Sequence, residues 1–121
     1  MWLAAVSITG WRATIVKYAG PFTWCDIPVD SHELVALCAP RPIFIGSGKD
    51  GDLWVDPKGM FMAGVAAGPF YEFLGKEGLP TDTFPPAGTA LLEGDIAFRQ
   101  YLGGHTAGPD GQHSSNLTNA F

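Results

Sequence analysis

The run Pro42-Ile43-Phe44-Ile45-Gly46-Ser47-Gly48 limits the folds open to this chain more than any other segment. Its apolar residues are consecutive rather than alternating, and turn formers bound it. A strand of this kind is buried on both faces, as in a parallel sheet covered by helices. The neighbouring sequence supplies the helices. Asp30 and Glu33 stand as a capping box, which predicts a short helix from Ser31 to Cys38 that Pro40 ends. Asp56-Pro57 opens a second helix, with proline at its first position. Met60, Phe61, Val65 and Ala66 begin its apolar face. Phe70, Phe73 and Leu74 continue that face beyond Gly68-Pro69, where a kink or break is expected.

Gly75 and Gly78 end this helix, and residues 79–88 read as a Pro-rich loop. Ile96, Phe98 and Tyr101 then mark a second strand that runs into Gly103-Gly104-His105-Thr106. The order helix, strand, acidic loop, helix, strand, histidine loop is that of an α/β protein. Ahead of it, Trp11 to Tyr18 fits two turns of helix stopped by Gly20-Pro21, and Asp26 to Asp30 reads as a loop.

Composition narrows the function classes. At 121 residues the chain is one small domain at most. Apolar residues are 46% and charged residues 16%, which supports a packed core rather than disorder. Gly and Pro together are 26 of the 121 residues, too much punctuation for a helical bundle. The net charge of −5 leaves no basic footprint for nucleic acid or an anionic membrane surface. Cys25 and Cys38 match no zinc spacing, and Cys38 lies in an apolar run where a buried thiol is the ordinary reading. Met1 to Ile8 is apolar but lacks the basic front region of a signal peptide and is too short to span a bilayer.

Working side chains of α/β sheets stand on loops beyond the carboxyl ends of strands. Here one such loop carries Asp50, Asp52 and Asp56, and the other carries His105. An acid followed some distance later by a histidine is the chain order of a Ser, Asp/Glu, His triad in an α/β-hydrolase. The histidine is then the general base on a serine, and the acid holds its tautomer and stabilises the imidazolium. Gly103 and Gly104 let the backbone turn sharply into a crowded site. A surface histidine beside a flexible glycine pair satisfies the same pattern.

Specific motifs point the same way. Ile27-Pro28-Val29-Asp30-Ser31-His32-Glu33-Leu34, Ala39-Pro40-Arg41-Pro42, Trp54-Val55-Asp56-Pro57-Lys58-Gly59-Met60-Phe61, Phe98-Arg99-Gln100 and Gly103-Gly104-His105-Thr106 follow one another in order. Over Tyr18 to Pro109 the chain resembles the C-terminal part of the glucuronoyl esterases, carbohydrate esterase family 15. The resemblance implies an incomplete α/β-hydrolase, a three-layer αβα sandwich with a mostly parallel sheet. Residues 1–110 would be the C-terminal portion of that domain, and 111–121 an irregular tail.

The activity implied is cleavage of the ester between 4-O-methyl-glucuronic acid of xylan and lignin alcohols, with no metal or other cofactor. Localisation would be secreted or periplasmic. His105 matches the catalytic histidine, Trp54 a tryptophan beside the bound uronic acid, and Asp52 the acid. Asp50 is the alternative acid, while Asp56 reads as a helix cap before Pro57. Arg99 is close enough in sequence to line the site, although an exposed strand charge fits as well. His32 reads as structural, and Arg41 as a salt-bridge or backbone-carbonyl partner.

The nucleophile is missing from this pattern. The serines are Ser7, Ser31, Ser47, Ser114 and Ser115, and none stands in a Gly-x-Ser-x-Gly or Gly-Cys-Ser-Arg elbow. Two readings follow. One is the acid- and histidine-bearing part of a serine esterase, inactive alone and completed by an N-terminal part of the same hydrolase domain. The other is a non-catalytic carbohydrate-binding or interaction remnant, in which Trp54 offers a stacking surface.

Overall fold

A computed structural model describes Tyr18 and residues 20–50 and 53–104. The helix predicted at Trp11 to Tyr18 falls almost wholly outside these residues. The chain divides into two compact units, 1–30 and 31–121. In the first, the rings of Tyr18 and Phe22 lie 5.9 Å apart, and Trp24–Asp26 forms a 3₁₀ turn. The Asp26 carboxylate closes that turn by accepting from the Thr23 N–H at 2.7 Å and the Thr23 hydroxyl at 2.8 Å. These two bonds favour the ionised form and hold the Asp26 carboxyl below its ordinary range.

The second unit runs α1 (Ser31–Ala36), β1 (Ile43–Gly48), α2 (Pro57–Phe73), β2 (Ala90–Leu91) and β3 (Ile96–Tyr101). Helix α1 starts at the expected residue and is two residues shorter than read, its end passing into turns up to Pro40. Cys38, in those turns, is half-buried rather than buried, and both Cys25 and Cys38 are free thiols. Strands β1 and β3 pair in parallel from Ile43↔Ile96 to Gly48↔Tyr101. The short β2 pairs antiparallel with β3 and completes the order β1-β3-β2.

The full two-sided burial expected of β1 belongs instead to β3. Every β3 residue except Arg99 is buried, whereas Ile43, Phe44 and Gly46 of β1 are half-buried. The reason is position, because β3 lies between two partners among the described strands. Strand β2 is only two residues long, too short to carry any periodic signal in the sequence.

Helix α2 begins as the sequence dictates. Asp56 is its N-cap, accepting from the Gly59 N–H at 3.1 Å, and Pro57 follows at the first turn. The expected break at Gly68-Pro69 does not occur, and the helix runs through to Phe73. An interior proline costs ~3 kcal/mol, and burying a large apolar side chain returns about 1.5–3 kcal/mol. Tyr71 lies beyond Pro69, fully buried, with its hydroxyl donating to the Arg41 carbonyl at 2.9 Å. Burying that one side chain and making its hydrogen bond offsets much of the proline cost, while Pro69 itself faces solvent. At the far end the N–H groups of Lys76 and Gly75 return to the carbonyls of Tyr71 and Glu72, with Gly75 left-handed at φ 74°.

The face that α2 buries also departs from the hydrophobic reading. Phe61, Ala63, Gly64, Ala67, Gly68 and Tyr71 are inside, while Phe70, Phe73 and Leu74 are exposed, Phe73 by 88%. Small residues win these inner positions because the helix lies close on the sheet. A Cβ on Gly64 would stand 3.0 Å from Leu79 and 3.1 Å from Ile45. Around this contact Phe61, Phe84 and Phe98 form an aromatic triangle with centroids 5.1–5.8 Å apart. Phe84 thereby pins the Pro-rich loop to the core.

Asp95 ties the entry to β3 to the end of α2. Its carboxylate accepts from the Glu77 N–H at 2.9 Å and pairs with Lys76 at 3.5 Å. Its carbonyl receives the Ile43 N–H at 2.9 Å, which sets the first rung of the β1–β3 ladder. Among the described residues no helix is long and apolar enough to cross a membrane.

Phe61→Ala should lower unfolding free energy by about 3–5 kcal/mol in urea titration, and Phe73→Ala should change it by less than about 0.5 kcal/mol. Burial pushes the Tyr71 phenol above its usual 10.0, and ionisation would remove the proton that it gives to Arg41. Stability from this group is therefore complete below 10.0 and declines as pH rises through the higher folded value. Tyr71→Phe should flatten the fall in melting temperature between about pH 9 and about pH 11.

Candidate functional site

The parallel pairing of β1 with β3 brings their carboxyl ends together, and the two loops that leave them are laced by their backbones. The Lys49 N–H donates to the Tyr101 carbonyl at 3.0 Å, continuing the ladder past Gly48↔Tyr101. The Asp50 N–H then donates to the Gly103 carbonyl at 3.1 Å. Tyr101, 4% exposed, turns its hydroxyl onto the Gly104 carbonyl at 2.6 Å. Gln100, also buried, donates from its side-chain amide to the Gly48 carbonyl at 3.4 Å.

This closeness depends on glycine at position 48. A Cβ there would stand 2.5 Å from the Gly103 oxygen and 2.8 Å from the Gly104 oxygen, inside van der Waals contact with main chain that cannot yield cheaply. The acidic loop and the histidine loop therefore depart side by side. Their described parts stop at Asp50 and Gly104, and Asp52 and His105 lie outside the described residues.

Asp50 is exposed at the mouth of the paired loops. The acidic loop returns through a 3₁₀ turn, Leu53–Val55, on which Trp54 is 58% exposed. Its bulk is therefore not packed into the core of the described residues, and an aromatic face lies within reach of solvent at the carboxyl end of the sheet. Asp56 is committed to α2, as its place before Pro57 implied. Its left-handed backbone, φ 52° and ψ 70°, is one that aspartate tolerates better than most residues. Gly59 leaves room for its carboxylate, since a Cβ there would overlap the Asp56 oxygens.

Arg99 is half-buried in β3, and its Nε–H is buried without an acceptor among the described residues. By strand alternation it shares a face with Ala97 and Tyr101, opposite the face on which Phe98 meets α2. It is not an exposed strand charge. Arg41 reaches the Cys38 carbonyl at 3.4 Å, the backbone-carbonyl partner foreseen for it. Ser47, the serine nearest to an elbow in sequence, is 3% exposed, so its hydroxyl has no access to a substrate. Among the described residues no three His, Cys, Asp or Glu side chains gather as a metal site.

Two contributors escaped the sequence reading. Tyr101 entered only as a strand residue, and Gly48 only as a boundary. Each makes sense only against backbone from elsewhere in the fold, a relation that no local pattern encodes.

No family model matches the chain. A curated protein named Carbohydrate esterase MZ0003, from an unknown prokaryotic organism, is 39% identical over 79 residues, 65% of this chain and 18% of that protein. Among solved structures, a CE15 glucuronoyl esterase from Teredinibacter turnerae T7901 superposes with a TM-score of 0.82 at 47% identity, over 87% of this chain and 25% of its own. A promiscuous CE15 esterase from a marine bacterial metagenome gives 0.62 at 38% identity over 66% and 20%. A glucuronoyl esterase from Solibacter usitatus gives 0.66 at 33% over 77% and 24%. The chain thus spans 18% of the curated relative and at most 25% of these structures. It is similar to the C-terminal part of glucuronoyl esterases of carbohydrate esterase family 15, and its architecture is a partial α/β-hydrolase.

Asp56→Ala should cost about 0.5–2 kcal/mol through the lost cap, read from the urea midpoint. Asp50→Asn, an exposed change, should alter the same midpoint by less than the equivalent of about 0.5 kcal/mol.

Proposed function

We propose that this chain is the acid- and histidine-bearing part of a serine-type carboxylic ester hydrolase. Its substrate class is the ester that joins 4-O-methyl-glucuronic acid of glucuronoxylan to lignin alcohols. Residues 1–110 supply the C-terminal portion of the hydrolase domain and 111–121 an irregular tail. The nucleophile comes from an N-terminal part of the same domain. The enzyme works outside the cytoplasm, where its polymeric substrate is found.

The observation that carries this reading is the lacing of the two loops, Asp50 N–H to Gly103 carbonyl at 3.1 Å. It binds the main chain just before Asp52 to the main chain just before His105. In the proposed mechanism His105 takes the proton from the serine hydroxyl as the oxygen attacks the ester carbonyl, then returns it to the departing alcohol. Asp52, or Asp50 in its place, fixes the imidazole tautomer and balances the imidazolium charge. A water molecule, activated by the same histidine, then releases the uronic acid.

Trp54 presents a ring face on which a sugar can lie, consistent with its exposure of 58%. Arg99, half-buried in β3, is the second substrate-facing residue of this reading, and its buried Nε–H has no acceptor among the described residues. The same exposure of Trp54 favours the second reading, a carbohydrate-binding remnant without chemistry.

The 121-residue chain alone should not hydrolyse a benzyl glucuronate ester. Joined to the nucleophile-bearing part of a relative it should gain turnover, and His105→Ala should then remove about 10⁶-fold. Asp52→Asn should cost less, about 10⁴-fold, by leaving the wrong tautomer. Near-native turnover in both Asp52→Asn and Asp50→Asn would move the acid to the other part. Xylan binding by the lone chain that Trp54→Ala abolishes, with no turnover in any joined form, would favour the remnant.

A further inference from the structure

We infer that the outer face of α2 is a docking surface for the N-terminal part of the same hydrolase domain; the inference rests on the esterase reading above. A helix that covers a sheet on one side and meets water on the other carries its charges on the wet side. Helix α2 does not. Between Lys58 and Glu72 it has no charged residue, so it is apolar around its circumference, the pattern of a helix enclosed on every side. Its inner face, with Phe61, Gly64, Ala67 and Tyr71, is already buried. About half a circle away, at roughly 100° per residue, Met62, Ala66, Pro69, Phe70 and Phe73 stand exposed. A contiguous apolar face of this kind marks a site of contact.

A groove beside this face gives the contact a shape. It holds about 540 Å³ between Val65 and Pro69 of α2 and Leu79 and Pro80 of the loop that follows. Glu72 and Asp82, both exposed, stand on its rim. The occupant therefore brings apolar side chains with a cation at their edge. An anionic membrane surface does not fit that rim. Nor does a second copy, which would bring the same acids and its own net charge of −5. The N-terminal part fits, because the relatives have the chain to supply it. The Teredinibacter turnerae enzyme matches 87% of this chain at a TM-score of 0.82 within only 25% of its own length, and the rest of that length is free to lie against the helix.

The test is hydroxyl-radical footprinting, which oxidises exposed methionine and aromatic side chains and needs no substitution. In the 121-residue chain alone, Met62, Phe70 and Phe73 should be labelled. Joined to the nucleophile-bearing part of a relative, all three should lose their labelling while the exposed Trp54 keeps it. Unchanged labelling of Met62 and Phe73 in the joined protein would overturn the inference. Protection already present in the lone monomer would give the face to this chain's own residues, and protection that appears only with a dimer would give it to a second copy. Either result also overturns it.

Ala66→Lys sets a charge in the middle of the face without removing a buried contact. It should leave the melting temperature of the lone chain unchanged and lower that of the joined protein, and an equal drop in both would count against docking. If the joined protein fails to fold, the footprint of the matching helix in the intact Teredinibacter turnerae enzyme decides: a protected outer face supports the inference and a labelled one sinks it. None of these measurements reads turnover. A joined protein that is protected but inactive keeps the docking surface and loses the esterase reading, and one that is active but labelled does the reverse.

Discussion

The parallel pairing of β1 with β3 is the contact on which everything else depends. Parallel strands put their carboxyl ends on the same side, and a register from Ile43↔Ile96 to Gly48↔Tyr101 makes those ends level. Without that level ending, the acidic and histidine loops would leave the sheet at different heights. Asp95 sets the register from below, giving its carbonyl to the Ile43 N–H while its side chain holds the Glu77 N–H. The bottom of the sheet is thus fastened by an acid, and the top by a glycine and a tyrosine.

Helix α2 supports this arrangement by being slim on its inner face. Ala63, Gly64, Ala67 and Gly68 let it settle onto Ile45 and Ile96, and the bulk of the core is left to Phe61, Tyr71, Phe84 and Phe98. Glycines inside a helix cost roughly 0.5–1 kcal/mol each relative to alanine, so their place here is explained only by the close approach. At Gly64 a Cβ would already crowd both Leu79 and Ile45. The helix tolerates Pro69 for a related reason, since the anchoring residues Ala67 and Tyr71 lie on either side of it.

Much of this was legible in the residues. The continuous apolar run at 43–48, the Asp56-Pro57 start and the alternation of elements led directly to the α/β order, and the motif series led to the esterase resemblance that the comparisons bear out. What stayed hidden has a common physical character. The buried face of α2 was misjudged because hydrophobicity ranks Phe73 above Gly64, whereas proximity to the sheet ranks them the other way. The unbroken helix, the two-residue β2 and the Phe84 anchor likewise depend on tertiary neighbours. At the site, the loops were legible as loops, and the role of Asp56 as a cap was legible from Pro57. The lacing through Gly48, Asp50, Gly103 and Gly104 was not, because backbone hydrogen bonds across half the chain leave no mark on side-chain patterns.

The two functional readings make different demands on this end of the sheet. A carbohydrate-binding surface needs an exposed aromatic ring, and Trp54 on its 3₁₀ turn supplies one independently of anything that happens after β3. It has no use for a neighbouring loop held to within a hydrogen bond. A histidine working with a carboxylate does, because the pair acts only when donor and acceptor meet at hydrogen-bond distance and in one orientation. Three separate features hold the two loops against each other: the bare Gly48, the Asp50 N–H and the Tyr101 hydroxyl. On the proposed esterase reading all three features serve one end, holding the two loops side by side where they leave the sheet.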